Sequence, residues 1–256
     1  MVKYSLKMLK HNAGKCKSAD GEKSCSKSRR GKACRFRAVI FDLGNTIYDK
    51  QYYVESAFKE IIKYLSQSYY LNYQATLDLF YRIWKVRTSH YEFLLENLLN
   101  VLGIFSPELM GRLLQIYYNH KSSIRTYRGV PKMLDVLGRK YKLAILTDGN
   151  LLMQYNKIRT LGIEDKFDLI LCSAEHPKKY AKPNSYCYRL VTEKLNVNPS
   201  ETVYVGDNPS EDFIGAKQIG IFTVRVLQGE FKDFNSDKLY DADVVIKSII
   251  ELPKVI

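Results

Sequence analysis

The chain has 256 residues, 46% of them hydrophobic and 26% charged. That is ordinary for a globular protein and enough for one domain, or for one domain with an insertion. No apolar run reaches the length of a membrane span, the Lys-rich start lacks the apolar stretch of a secretory signal, and five scattered cysteines make no disulfide framework, so a reducing cytoplasm is the expected location.

The net charge of +13 is unevenly spread: residues 1–36 carry 11 Lys and Arg against 2 acids. This segment is rich in Lys, Ser and Gly and has almost no large apolar residue beyond residue 10. It cannot offset the entropy of ordering and is expected to be a solvated tail, with at most a weak contact to nucleic acid or an anionic surface. Cys16, Cys25 and Cys34 recur every nine residues, but without histidines at ligand spacing they make a poor zinc site.

Order is expected from Ala38 onward. Ala38 to Phe41 is a continuous apolar run that ends at Asp42. An unalternated run reads as a strand buried on both faces, as in parallel sheets. Between Lys50 and Tyr127 the periodicity is helical throughout. Val54, Ala57, Phe58, Ile61, Ile62 and Leu65 fall on one helix face, and Tyr91, Leu94, Leu95, Leu98, Leu99 and Leu102 repeat the same intervals. Gly103 is a stop signal, and Ser106-Pro107-Glu108 reads as a cap, a proline in the first turn and an early acid. About four helices are expected here, with Trp84 in their core. Further apolar runs follow at Leu143–Leu146, Leu169–Leu171, Val203–Val205, Ile221–Val226 and Val244–Ile246. Amphipathic stretches lie at Pro131–Lys140, Leu151–Leu161, Pro183–Leu195 and Glu211–Ile219. Strands alternating with helices predict an α/β fold with a Rossmann-like, doubly wound parallel sheet. The chain thus divides into a tail (1–36), a sheet core (37–50 and 128–256) and an all-helical insertion (51–127).

Ligands of an open α/β sheet bind beyond the carboxyl ends of its strands. The first strand ends in Asp42-Leu43-Gly44-Asn45-Thr46, another in Thr147-Asp148-Gly149-Asn150, and a third in Gly206-Asp207-Asn208-Pro209-Ser210-Glu211-Asp212; Lys182-Pro183 precedes a helix. Acids, a hydroxyl and a lysine so placed suit phosphoryl transfer. A carboxylate can attack phosphorus and split the reaction into two steps. Asp42, Asp207 and Asp212 offer the hard oxygens that Mg²⁺ prefers. Lys182 and Thr147 would hold phosphate oxygens, and Asp148, Gly149 and Asn150 would present the start of a helix to the anion.

In order and spacing, these four motifs resemble those of the haloacid dehalogenase-like hydrolases, over about residues 37–250. The resemblance implies an α-helical cap of the first type in the insertion. It casts Asp42 as nucleophile, and Thr147 and Lys182 as phosphate binders. Asp207 would be a metal ligand, the Gly44 carbonyl another, and Asp212 either a ligand or a partner behind the ligands. Family phosphatases usually carry a second aspartate two residues after the nucleophile, as general acid and base; this chain has Gly44 there. The expected activity is Mg²⁺-dependent hydrolysis of a small phosphorylated metabolite through an aspartyl-phosphate at Asp42. Two alternatives stay open: a phosphate- or partner-binding protein with little turnover, and a metal-independent dehalogenase. Asp49 is a possible substitute acid–base group, and Lys59, Lys63 and Lys85 are the lysines that a phosphonatase-like site would draw on.

Overall fold

The computed structural model describes residues 36–86, 90–237 and 240–256; the expected basic tail lies outside them with its three cysteines, except for its last residue, Phe36, which is buried. Six strands form one sheet: β1 (Ala38–Phe41), β2 (Lys142–Thr147), β3 (Leu169–Cys172), β4 (Thr202–Gly206), β5 (Phe222–Val226) and β6 (Val244–Ile246). Their order is β3-β2-β1-β4-β5-β6, and every neighbouring pair is parallel. The unalternated runs have the cause expected of them. In β1, Val39 and Phe41 enter one core while Ala38 and Ile40 enter another on the opposite face, all four fully buried. The α/β class read from the sequence is the class observed.

Four helices separate β1 from the rest of the sheet: α1 (Lys50–Tyr69), α2 (Tyr73–Val86), α3 (Tyr91–Val101) and α4 (Pro107–Asn119). Asp49 caps α1 by accepting from the Gln51 N–H at 2.9 Å, and Ser106 caps α4 by accepting from the Leu109 N–H at 3.1 Å. All six apolar positions counted on α1 are buried. Phe58 stacks on Phe80 with ring centres 4.3 Å apart and meets Tyr117 edge-on at 6.0 Å, while Trp84 packs beside Phe80. This aromatic core is continuous with the core on one face of the sheet. The two ends of the insertion are paired with each other: Tyr48 bridges Thr126, and the Tyr127 N–H donates to the Ile47 carbonyl at 2.9 Å.

The remaining helices are α5 (Val130–Gly138), α6 (Leu151–Leu161), α7 (Ser185–Leu195) and α8 (Ile214–Gln218). Two differ from the sequence reading. The stretch Pro183–Leu195 becomes helical only at Ser185, because Asn184 is its cap and accepts from the Tyr186 N–H at 2.8 Å. The stretch Glu211–Ile219 yields only the short α8, because residues 207–213 instead form a turn around the Asp212 carboxylate. Among the described residues no helix is long and apolar enough to cross a membrane.

Candidate active site

The chain runs from β1 to β2 and β3 on one side, then crosses to β4 on the other side of β1. The strand order therefore reverses around β1, and the crevice at such a reversal is where open α/β sheets bind ligands. Asp42 directly follows β1, Thr147 ends β2 and Asp207 directly follows β4. The Asp42 N–H donates to the Val205 carbonyl at 2.8 Å, which fixes the first of these ends against the third. All three residues are nearly fully buried and border one chamber of about 120 Å³, together with Gly44, Lys182 and Asp212.

Lys182 organises the chamber. Its Nζ lies 2.7 Å from Asp42 Oδ1, 2.8 Å from Asp212 Oδ1 and 3.2 Å from the Tyr204 hydroxyl. Burial alone would depress the ammonium, but Asp212 and Asp42 outweigh it and hold its pKa well above the usual lysine value. Its backbone N–H donates to Asp148 Oδ2 at 3.1 Å. The nearby lysines Lys178 and Lys179 are exposed.

Asp212 is fully engaged. Oδ1 accepts from Lys182 and from the Tyr204 hydroxyl at 2.8 Å, and Oδ2 accepts from the N–H groups of Asp207 and Asn208 at 3.1 and 2.9 Å. A Cβ at Gly206 would collide with this carboxylate, so glycine is what lets Asp212 lie against the end of β4. Asp207 is the opposite case: its Oδ2 is buried without a partner. Burial, then the neighbouring carboxylates of Asp212 and Asp42, push its pKa well above the ordinary range, against the pull of Asn45 and Lys50. Asp42 is raised from 3.8 to about 6, chiefly by burial and despite Lys182.

This donor set fits a small hard cation. A buried carboxylate oxygen lacking a hydrogen bond, beside a second raised carboxylate, is costly unless positive charge is supplied. Among the described residues no three His, Cys, Asp or Glu side chains converge on a point. Mg²⁺ does not require that, since it keeps several waters and uses one or two carboxylates plus substrate phosphate.

Other residues read from the sequence are placed as follows. Thr147 Oγ1 accepts from Gln154 Nε2 at 2.9 Å. Asp148 and Gly149 line the chamber. Asn150 caps α6, accepting from the Met153 N–H at 3.1 Å. Asp49 borders a separate surface groove, and Lys59, Lys63 and Lys85 are exposed. Among the chamber residues that escaped the sequence reading, three carry an amide or an ammonium group. Gln154 and Lys157 lie on the buried face of α6, and Lys50 starts α1 with its stem against Gly44. The overlooked signal was in α6: Leu151 and Leu152 are exposed while the polar pair is buried, so its stripe is polar where it faces the chamber.

The haloacid dehalogenase-like hydrolase model matches residues 39–226. The chain belongs to this family. It is therefore a hydrolase, and among family members it is 29% identical to the glyceraldehyde 3-phosphate phosphatase of Methanocaldococcus jannaschii, over 86% of this chain and 96% of that one. It is 26% identical to human N-acylneuraminate-9-phosphatase, over 86% and 93% of the two chains. The family fold is also that of the L-2-haloacid dehalogenase of Xanthobacter autotrophicus, with a TM-score of 0.59 and 22% identity, over 86% of this chain and 98% of that one.

Proposed function

We propose that this hydrolase is a Mg²⁺-dependent phosphatase that cleaves a small phosphomonoester through an aspartyl-phosphate at Asp42. The observation that carries the reading is the charge pattern at the strand ends: a lysine clamped between Asp42 and Asp212, beside a buried Asp207 oxygen without a partner. Both curated relatives named above are phosphatases, and a small, anion-ready chamber suits their class of substrate. Asp42, Asp207 and the Gly44 carbonyl would hold the Mg²⁺, with Asp212 behind them holding Lys182 and the Asp207 turn. When bound, the cation would neutralise phosphate charge facing the carboxylates.

The chain's own groups then have defined tasks. Lys182 fixes one oxygen of Asp42, leaving the other to attack phosphorus as the ester oxygen departs. Its ammonium also faces the charge that grows on the transferring group. Thr147, oriented by Gln154, would hold a phosphate oxygen. Water then cleaves the aspartyl-phosphate and restores Asp42. The insertion would act as a cap, since Tyr91 and Tyr117 from α3 and α4 form part of the chamber wall.

Gly44 favours a second reading, in which phosphate binds with little turnover, because no side chain there can protonate a leaving oxygen. One experiment separates the readings. With p-nitrophenyl phosphate, we expect turnover that requires Mg²⁺, stops in EDTA and falls at least about 10³-fold in Asp42→Asn. Phosphate binding without turnover would establish the second reading, and dehalogenation insensitive to EDTA would replace both.

A further inference from the structure

Lys157 is a buried cation that the reaction described above does not use. It lies on α6 three residues after Gln154, on the same face, and is only 4% exposed. Its Nζ sits 4.1 Å from the centre of the Tyr53 ring of α1. Lys157 borders the same chamber as Asp42 and Lys182. The two lysines differ in their partners. Lys182 is neutralised by two carboxylates in contact. Among the described residues, no ion pair or hydrogen bond reaches the Lys157 ammonium, which sits over the Tyr53 ring. Burial, and then Lys50, pull its pKa down to about 7, against the opposing pull of Asp42 and Cys172.

A largely buried ammonium without a counter-ion is disfavoured. A cation–π contact offsets part of this cost but does not replace an ion pair. The missing negative charge has an obvious source in a ligand of the chamber. Position decides which part of the ligand. The phosphoryl group belongs at the strand ends, with Asp42 and Lys182. Lys157 lies further along α6, where that helix packs against α4 and Tyr53 of the insertion. That is the side on which the rest of a substrate must lie.

We propose that Lys157 is the specificity-determining cation of the site and receives a second anionic group of the substrate, a carboxylate, at the end away from the phosphate. The inference rests on the phosphatase reading and narrows it: the natural substrate is a small phosphorylated hydroxy acid rather than a neutral phosphorylated alcohol or aldehyde.

The test uses a pair that shares one carbon skeleton, 3-phosphoglycerate and glyceraldehyde 3-phosphate, with the full chain and Mg²⁺. The wild type is expected to favour the carboxylate in kcat/KM. In Lys157→Gln that preference should shrink about 30-fold or more, mainly through KM, as when one partner of a buried charge pair is lost. Lys157→Arg keeps the charge and should recover part of it. Inhibition by inorganic phosphate, which lacks the second group, should shift far less than the preference does. A wild type that favours the aldehyde, a Gln variant that slows both esters by one factor, or a phosphate inhibition constant that rises in step with KM would each overturn the proposal. A chain that turns over p-nitrophenyl phosphate but shows one of these results loses only this inference, whereas one that hydrolyses no phosphate ester loses the phosphatase reading itself. Should the Gln variant fold poorly, Lys157→Met keeps the apolar stem and gives the same comparison.

Discussion

At Gly44 a Cβ would meet only the Lys50 stem, with the nearest atom at 3.5 Å, and the backbone φ is not in the left-handed region. A side chain can therefore begin there without a clash at its Cβ. General acid help is worth about 10²–10⁴ in rate, and more to a poor leaving group than to a good one. Gly44→Asp should raise kcat at least about tenfold for an alkyl phosphate while changing little for p-nitrophenyl phosphate, whose leaving group needs no proton. Steady-state kinetics on the two esters checks this. The same contrast between residue types explains what could be read in advance. Asp42, Thr147 and Asp207 were legible because strand ends fix where side chains converge, whichever helices surround them. Lys182 was legible from the proline after it. Gln154 and Lys157 were not, because a polar residue on an amphipathic helix is ordinarily assigned to solvent. Only the three-dimensional placement of α6 turns that face inward.

Elements were read best where one force decided them. The apolar face of α1 and the cap of α4 follow from spacing and from one side chain each, and both are present as read. The helix expected over Glu211–Ile219 failed because Asp212 draws two backbone N–H groups of its own turn, a local competition that apolar spacing does not register. Within the insertion, the Phe58–Phe80 stack joins α1 to α2, and Tyr117 of α4 packs against its side. Phe58 is fully buried, so Phe58→Ala should remove transfer energy and leave a cavity, at a cost of about 3–5 kcal/mol. Urea unfolding should show the loss as a lower midpoint with an unchanged slope.

For the whole molecule, the raised carboxyl groups make stability depend on pH with a defined sign. Asp42 at about 6, and Asp207 also raised, hold protons in the folded chain that the unfolded chain releases near 3.8. The contribution of these two groups to stability without metal is therefore fully present below the unfolded value and is lost as pH rises, through about 6 for Asp42. In EDTA this loss should lower Tm over that rise. Millimolar Mg²⁺ should raise Tm at pH 7.5 and do much less at pH 5, where Asp42 is largely protonated. Thermal melts at the two pH values, with Asp207→Asn as the variant that flattens both effects, check it. A Mg²⁺ shift of equal size at both pH values would contradict the assignment of these carboxyls to the cation.

The pairing of Tyr48 with Thr126 has a consequence for how such a molecule can be rebuilt. The chain leaves and re-enters the sheet at neighbouring points, so exchanging what lies between them for a longer or shorter cassette adds little loop-closure entropy. A graft succeeds or fails on whether it brings an oily underside that matches the patch it uncovers. On the reading proposed above, recognition would be reshaped by such an exchange while the chamber at the strand ends stays as it was.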